Sequence, residues 1–174
     1  MSGRSVDGRL SQGWGGTAPN GVHVNVVLAE RASPTAAALT TAFAAPRAGF
    51  TPILVSLGPD QPSYETLLPP TVMLNKVPVE DERFGGLVAG ACQVGIARAV
   101  LDTVAAGLLE ADQETVVFVS LWLDTDAQDE QAVCAAAREA TAAALREAVE
   151  GRDPDAARAL VDGRESVTHP FYGG

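Results

Sequence analysis

The chain has 174 residues, with 22 acidic side chains against 12 basic ones and a formal charge of −10. That balance excludes nucleic acid and anionic membrane as partners, since both need a basic footprint. The length suits a single domain with a genuine core. Much of the 47% hydrophobic content is alanine, so the core is expected to rely on helices packed through small residues. No apolar run approaches the roughly 20 residues of a membrane span, and MSGRSVDGRLSQGWGG lacks the apolar stretch of a signal peptide. Cys92 and Cys134 form no CxxC pair, and reduced thiols in a cytoplasmic protein are the plain reading. With His23 and His169 as the only histidines, no metal site is expected.

Residues 1 to about 20 are rich in glycine and serine and read as a flexible N-terminal arm, with residues 21–174 as the single domain. Trp14 in the arm has apolar surface to bury, on the body or on a neighbouring subunit. His23 to Ala29, HVNVVLA, reads as a strand, with His23, Asn25 and Val27 on one face and Val24, Val26 and Leu28 on the other. Ser33 and Pro34 start a helix, hydroxyl cap then proline, that runs to about Ala45. Leu39 and Phe43 face the sheet, and Pro46 and Gly49 end the helix. Phe50 to Leu57 returns as a strand, with Leu54 opposite in face to Ile53 and Val55. Gly58 to Pro70, with four prolines, is expected to be a loop without elements.

Thr71 to Val77, TVMLNKV, is the next strand. Val72, Leu74 and Lys76 share one face, and Thr71, Met73, Asn75 and Val77 the other. A lysine in such a strand either snorkels from an edge or points into a cavity that wants a cation. Pro78 then ends the ladder. A long helix from Phe84 or Leu87 to Ala106 stops at Gly107. Gln93 lies in its stripe with Ala97, Val100 and Val104, and its amide needs a backbone partner or a ligand. Thr115 to Leu123, apolar on both faces, reads as a central strand. Helices follow from about Gln131 to Glu150 and from Asp153 to near Gly163, and Phe171 and Tyr172 are candidate anchors for the tail. The order β-α-β-β-α-β-α-α predicts an α+β fold, with helices covering one face of a mixed sheet.

Several of these stretches resemble the formaldehyde-activating enzyme family. TVMLNKV resembles its TVMFNKV, HVNVVLAERASP its HIDLIIGPRGSP, and AGFTPILV its HGFTSLLAV. ACQVGIARAVLDTV begins where the family shows PAQ and a similar helix. EATAAALREAV resembles its second long helix, and VTHPF its ATHPF terminus. The likeness runs from about residue 20 to 171.

It implies an enzyme, a hydro-lyase joining formaldehyde to tetrahydromethanopterin or a similar reduced pterin as co-substrate, without a metal. It also implies a place in cytoplasmic one-carbon metabolism and formaldehyde detoxification. The implied fold is that of the second domain of ribosomal protein S5, assembled as a homopentamer with sites between subunits. The strand histidine, His23, would be the general acid. Leu54, Lys76 and Gln93 fall on pterin-contacting positions, as do Asn25 and Pro78. At these last two the family has an aspartate and a threonine. The phenylalanine and proline of the family's FGPAQ segment are replaced here by Ala89 and Ala91, and its IHW histidine is missing near Leu121 and Trp122.

Formaldehyde adds to a secondary amine unaided, so such an enzyme must hold amine and carbonyl together and help expel water from the hydroxymethyl intermediate. An imidazolium tuned near neutrality suits the proton donation. Asparagine at position 25 keeps the size of aspartate but loses its charge, which favours imidazolium less. Slower condensation or a changed amine carrier is therefore expected. A different carbonyl or amine partner, or a non-catalytic ring that binds pterin or aldehyde, are the alternative readings.

Overall fold

In the computed structural model, which describes residues 5–45 and 47–169, five strands make one mixed sheet in the order β1 (Leu10–Gly15), β2 (Val22–Glu30), β7 (Thr115–Leu123), β6 (Thr71–Asn75), β3 (Ile53–Leu54). The helix stop expected at Pro46 and the anchors Phe171 and Tyr172 lie outside those residues. β2 (Val22–Glu30), β6 (Thr71–Asn75) and β7 (Thr115–Leu123) are the strands that alternation and apolar runs predict. β7 sits between the other two, antiparallel to β2 and parallel to β6. That central place explains why its residues are apolar towards both layers.

The parallel step from β6 to β7 needs a crossover, and a helical stretch supplies it. It comprises α2 (Glu82–Gly86), a π-helical segment (Leu87–Cys92) and α3 (Gln93–Ala105). By length and composition Glu82–Ala105 is apolar enough to cross a membrane, which corrects the expectation that no segment comes near one. Half of its most apolar window is buried inside the domain, as in a core helix. α3 packs beside α4 (Glu130–Glu150), whose N-terminus is capped by Asp129 and whose C-terminus closes at Gly151. Ala136, Ala140 and Ala144 of α4 are buried where β1 passes, and Ala137 is buried against Gly95 of α3. The alanine content therefore serves close helix approach, as composition suggested. α5 (Pro154–Asp162) follows and buries none of its residues.

Three expectations need correction. The N-terminal segment is not a loose arm throughout, because Leu10–Gly15 forms β1, paired antiparallel to β2. Its Ser11, Gly13 and Gly15 face α4. A Cβ at Gly13 would lie 2.0 Å from the carbonyl oxygen of Ala140. Glycine is there because a backbone must pass close, not because the chain is mobile.

The strand expected over Phe50–Leu57 is split into β3 (Ile53–Leu54), paired with β6, and β4 (Ser56–Leu57). β4 pairs with β5 (Glu65–Thr66), inside the stretch read as loop. Between them Val55 is fully buried, and its N–H donates to Thr71 O at 2.8 Å, so the chain pivots there.

Finally, the helices do not share one face. α1 (Pro34–Ala44), capped as expected by the Ser33 hydroxyl, lies on the face opposite α3 and α4. Its Leu39 and Phe43 pack with Val27, Val72, Val116 and Phe118, and the Phe43 and Phe118 rings meet edge-on at 5.3 Å. α1 covers only that end of the face. Among the described residues no helix covers the other end.

Candidate active site

The open end is built by cross-strand register. Directly opposed residues share a face, so Trp14, His23 and Trp122 form one row across β1, β2 and β7. Gln12, Asn25, Ser120 and Leu74 form the next, across to β6. Lys76 follows β6 and extends its ladder, its N–H donating to Leu121 O at 2.7 Å. Behind it the buried Asn75 amide donates to Gly49 O and Val77 O, which clamps the turn and fixes the direction of the lysine stem.

Four side chains meet here. The Lys76 ammonium donates to Asn25 Oδ1 and lies 3.1 Å from His23 Nδ1. His23 Nε2 lies 3.1 Å from Gln12 Oε1. An ammonium can only donate, so Nδ1 must accept, and the ring's own proton then sits on Nε2 and goes to Gln12. The arrangement therefore holds a neutral imidazole beside a charged lysine. Partial burial keeps the His23 pKa below its ordinary value, and the charges of Lys76 and His169 push the same way. Burial also keeps the Lys76 pKa below its ordinary value. An imidazolium formed here is thus a stronger acid than histidine in water, and the lysine a more available amine.

Of the other residues singled out, Leu54 pairs with Val72 on this same face and is 51% exposed. Pro78 lies past the strand end against Gly49, and is part of the turn that carries Lys76. Gln93 is elsewhere. It lies on α3, in the layer across the sheet, where its Oε1 accepts from Ser56 N at 3.0 Å and its Nε2 donates to Ala89 O. Its amide is satisfied by backbone, and within one chain it does not join His23 and Lys76. A cavity of about 960 Å³ is also away from the cluster. It runs between α3 and α4 past Gly90, Val94 and Cys134, on the outer side of the helix layer.

Gln12 and Trp122 escaped the reading of the sequence. Gln12 was hidden because its strand resembles a loop, although Leu10, Gln12 and Trp14 do alternate with small residues. Trp14, for which burial was expected, stacks at a tilt on Trp122 with centroids 6.1 Å apart. His169, in the tail, comes close enough to act on His23 electrostatically.

A half-open sheet face that gathers an imidazole, an ammonium and amides, with an apolar wall of tryptophans, defines a small-molecule site suited to proton transfer. The formaldehyde-activating enzyme family model matches residues 14–172, and the chain belongs to that family. It is 36% identical over 159 residues to a 5,6,7,8-tetrahydromethanopterin hydro-lyase of Methanosarcina barkeri, covering 90% of this chain and 85% of that protein. It is 31% identical over 153 residues to a bifunctional enzyme Fae/Hps of Archaeoglobus fulgidus, and 29% identical over 160 residues to one of Methanothrix thermoacetophila. It spans 37% and 39% of those two longer proteins.

Proposed function

We propose that the chain condenses formaldehyde with tetrahydromethanopterin or a similar reduced pterin, forming the methylene derivative with loss of water. The reading is supported by family membership, by the hydro-lyase name of the Methanosarcina barkeri relative, and above all by the contact between His23 and Lys76. His23 is the general acid: as imidazolium it protonates the hydroxyl of the hydroxymethyl intermediate, and water leaves. Its depressed pKa makes that donation easier, and the adjacent Lys76 ammonium supplies the next proton through Nδ1. Gln12 holds the ring through Nε2. Trp14 and Trp122 offer an apolar wall for a planar heterocycle, and Leu54 extends it.

Asn25 and Pro78 belong to the same substrate side, and Gln93 reaches it from an adjacent copy in a homopentamer. Such a ring accounts for a glutamine that lies across the sheet from the histidine in its own chain. The setting is cytoplasmic, with small molecules as partners. Among the described residues no group of three metal-binding side chains occurs.

Asn25 favours a second reading, in which the amine carrier or the carbonyl differs, because a neutral amide cannot accept a pterin N–H with the strength of a carboxylate. Stopped-flow measurement of formaldehyde loss with tetrahydromethanopterin tests the first reading. We expect acceleration over the protein-free blank. Equal rates would remove it and leave the second.

A further inference from the structure

We propose that Lys76 is itself a nucleophile, whose amine takes the small aldehyde into a covalent adduct beside His23 and passes the carbon to the acceptor amine. The inference rests on the formaldehyde reading above and adds a catalytic residue to it. Lys76 is the only lysine of the chain, every other basic side chain being arginine. Arginine is held charged at all ordinary pH, whereas a lysine amine can be freed to add to a carbonyl. A chain that meets formaldehyde and presents one lysine, on its open sheet face, directs that chemistry to one place.

The surroundings of Lys76 suit deprotonation. Its two side-chain partners are an amide oxygen and a ring nitrogen. Among the described residues the ion pairs are made by arginines, and none of them brings a carboxylate to the Lys76 ammonium. His23 Nδ1, 3.1 Å away, is an acceptor for the proton that the ammonium must lose, and burial favours that loss.

Lys76 gives a proton to His23 Nδ1, and the freed lone pair attacks the carbonyl carbon. The carbon–nitrogen bond forms as the carbonyl π pair moves to oxygen, which takes a proton from the attacking nitrogen to give the hydroxymethyl amine. The imidazolium then protonates that hydroxyl, the carbon–oxygen bond breaks, water leaves, and the nitrogen lone pair makes the iminium. The acceptor attacks the iminium carbon through one amine nitrogen. As its second nitrogen closes on the same carbon, the bond to Lys76 breaks. The two acceptor N–H protons return Lys76 to an ammonium.

The test uses the full chain with one equivalent of carbon-13 formaldehyde and an equimolar amount of N-acetyl-lysine in the same tube. The mixture is quenched with borohydride and read by intact and peptide mass. We expect one methylene added per chain, on Lys76, well ahead of N-acetyl-lysine. Each unit by which the Lys76 pKa falls frees about tenfold more amine at neutral pH. The label should pass to tetrahydromethanopterin added before the quench. Lys76→Arg, which keeps the cation and its donors, should reduce condensation to the uncatalysed rate, as should Lys76→Met. Labelling no faster than N-acetyl-lysine, or a Lys76→Arg protein that condenses like wild type, would overturn the proposal while leaving the condensation reading intact. Selective labelling without acceleration by tetrahydromethanopterin would support the proposal and move the failure to the carrier.

Discussion

At the scale of single residues, the chemistry turns on one proton held between His23 and Lys76, and position 25 decides who keeps it. Asn25→Asp puts a carboxylate beside the ammonium. It should raise the Lys76 pKa and, through reduced competition and the new negative charge, the His23 pKa as well. Titration of the His23 ring protons by NMR checks this: an upward shift is expected, and an unchanged or lower midpoint would contradict the geometry.

The same pair sets a sign for stability against pH. The His23 pKa is lower in the folded chain than its ordinary 6.5, so between the two values the unfolded chain binds more protons. Stability from this site is therefore full above about 6.5 and is lost as pH falls towards the folded value. His23→Gln removes this pH-dependent contribution. The stability of wild type relative to His23→Gln should rise with pH across that window in urea titrations, and a flat difference would mean that the ring is not held as described.

At the scale of elements, β1 carries Gln12 to His23 only because α4 lets it approach. Gly13 is the closest point, and a methyl there must displace the Ala140 carbonyl or the strand. Overpacking of this kind costs about 1–3 kcal/mol. For a domain of this size Gly13→Ala should lower Tm by about 2–12 °C, and should loosen the Gln12 contact so that His23 titrates closer to an ordinary histidine. A thermal melt at unchanged Tm would contradict the packing.

This element also marks where the sequence was hard to read. SQGWG carries the composition of a loop, and its alternation is visible only once small residues are recognised as the buried side. The His23 and Lys76 faces were legible, since period two places both on one side wherever β2 and β6 flank a common strand. The layer of Gln93 was not. A helical stripe says which residues are buried together but not on which side of the sheet the helix lands. The split at Val55 was equally hidden, because a fully buried valine looks the same inside a strand and at a pivot.

At the scale of the whole molecule, α5 buries nothing, Leu160 and Val161 stay exposed, and Gln93 lies across the sheet from His23. Both features suit a chain that works beside copies of itself. Light scattering should give about five times 17.9 kDa, and a monomer at micromolar concentration would leave Gln93 without a role at the site.

The most direct measurement compares wild type with His23→Gln in stopped-flow condensation of formaldehyde with tetrahydromethanopterin, each at saturating pterin. General acid catalysis is worth about 10²- to 10⁴-fold. The variant should fall by a factor in that range while still binding the pterin as tightly as wild type. A rate for His23→Gln equal to that of wild type would contradict the account.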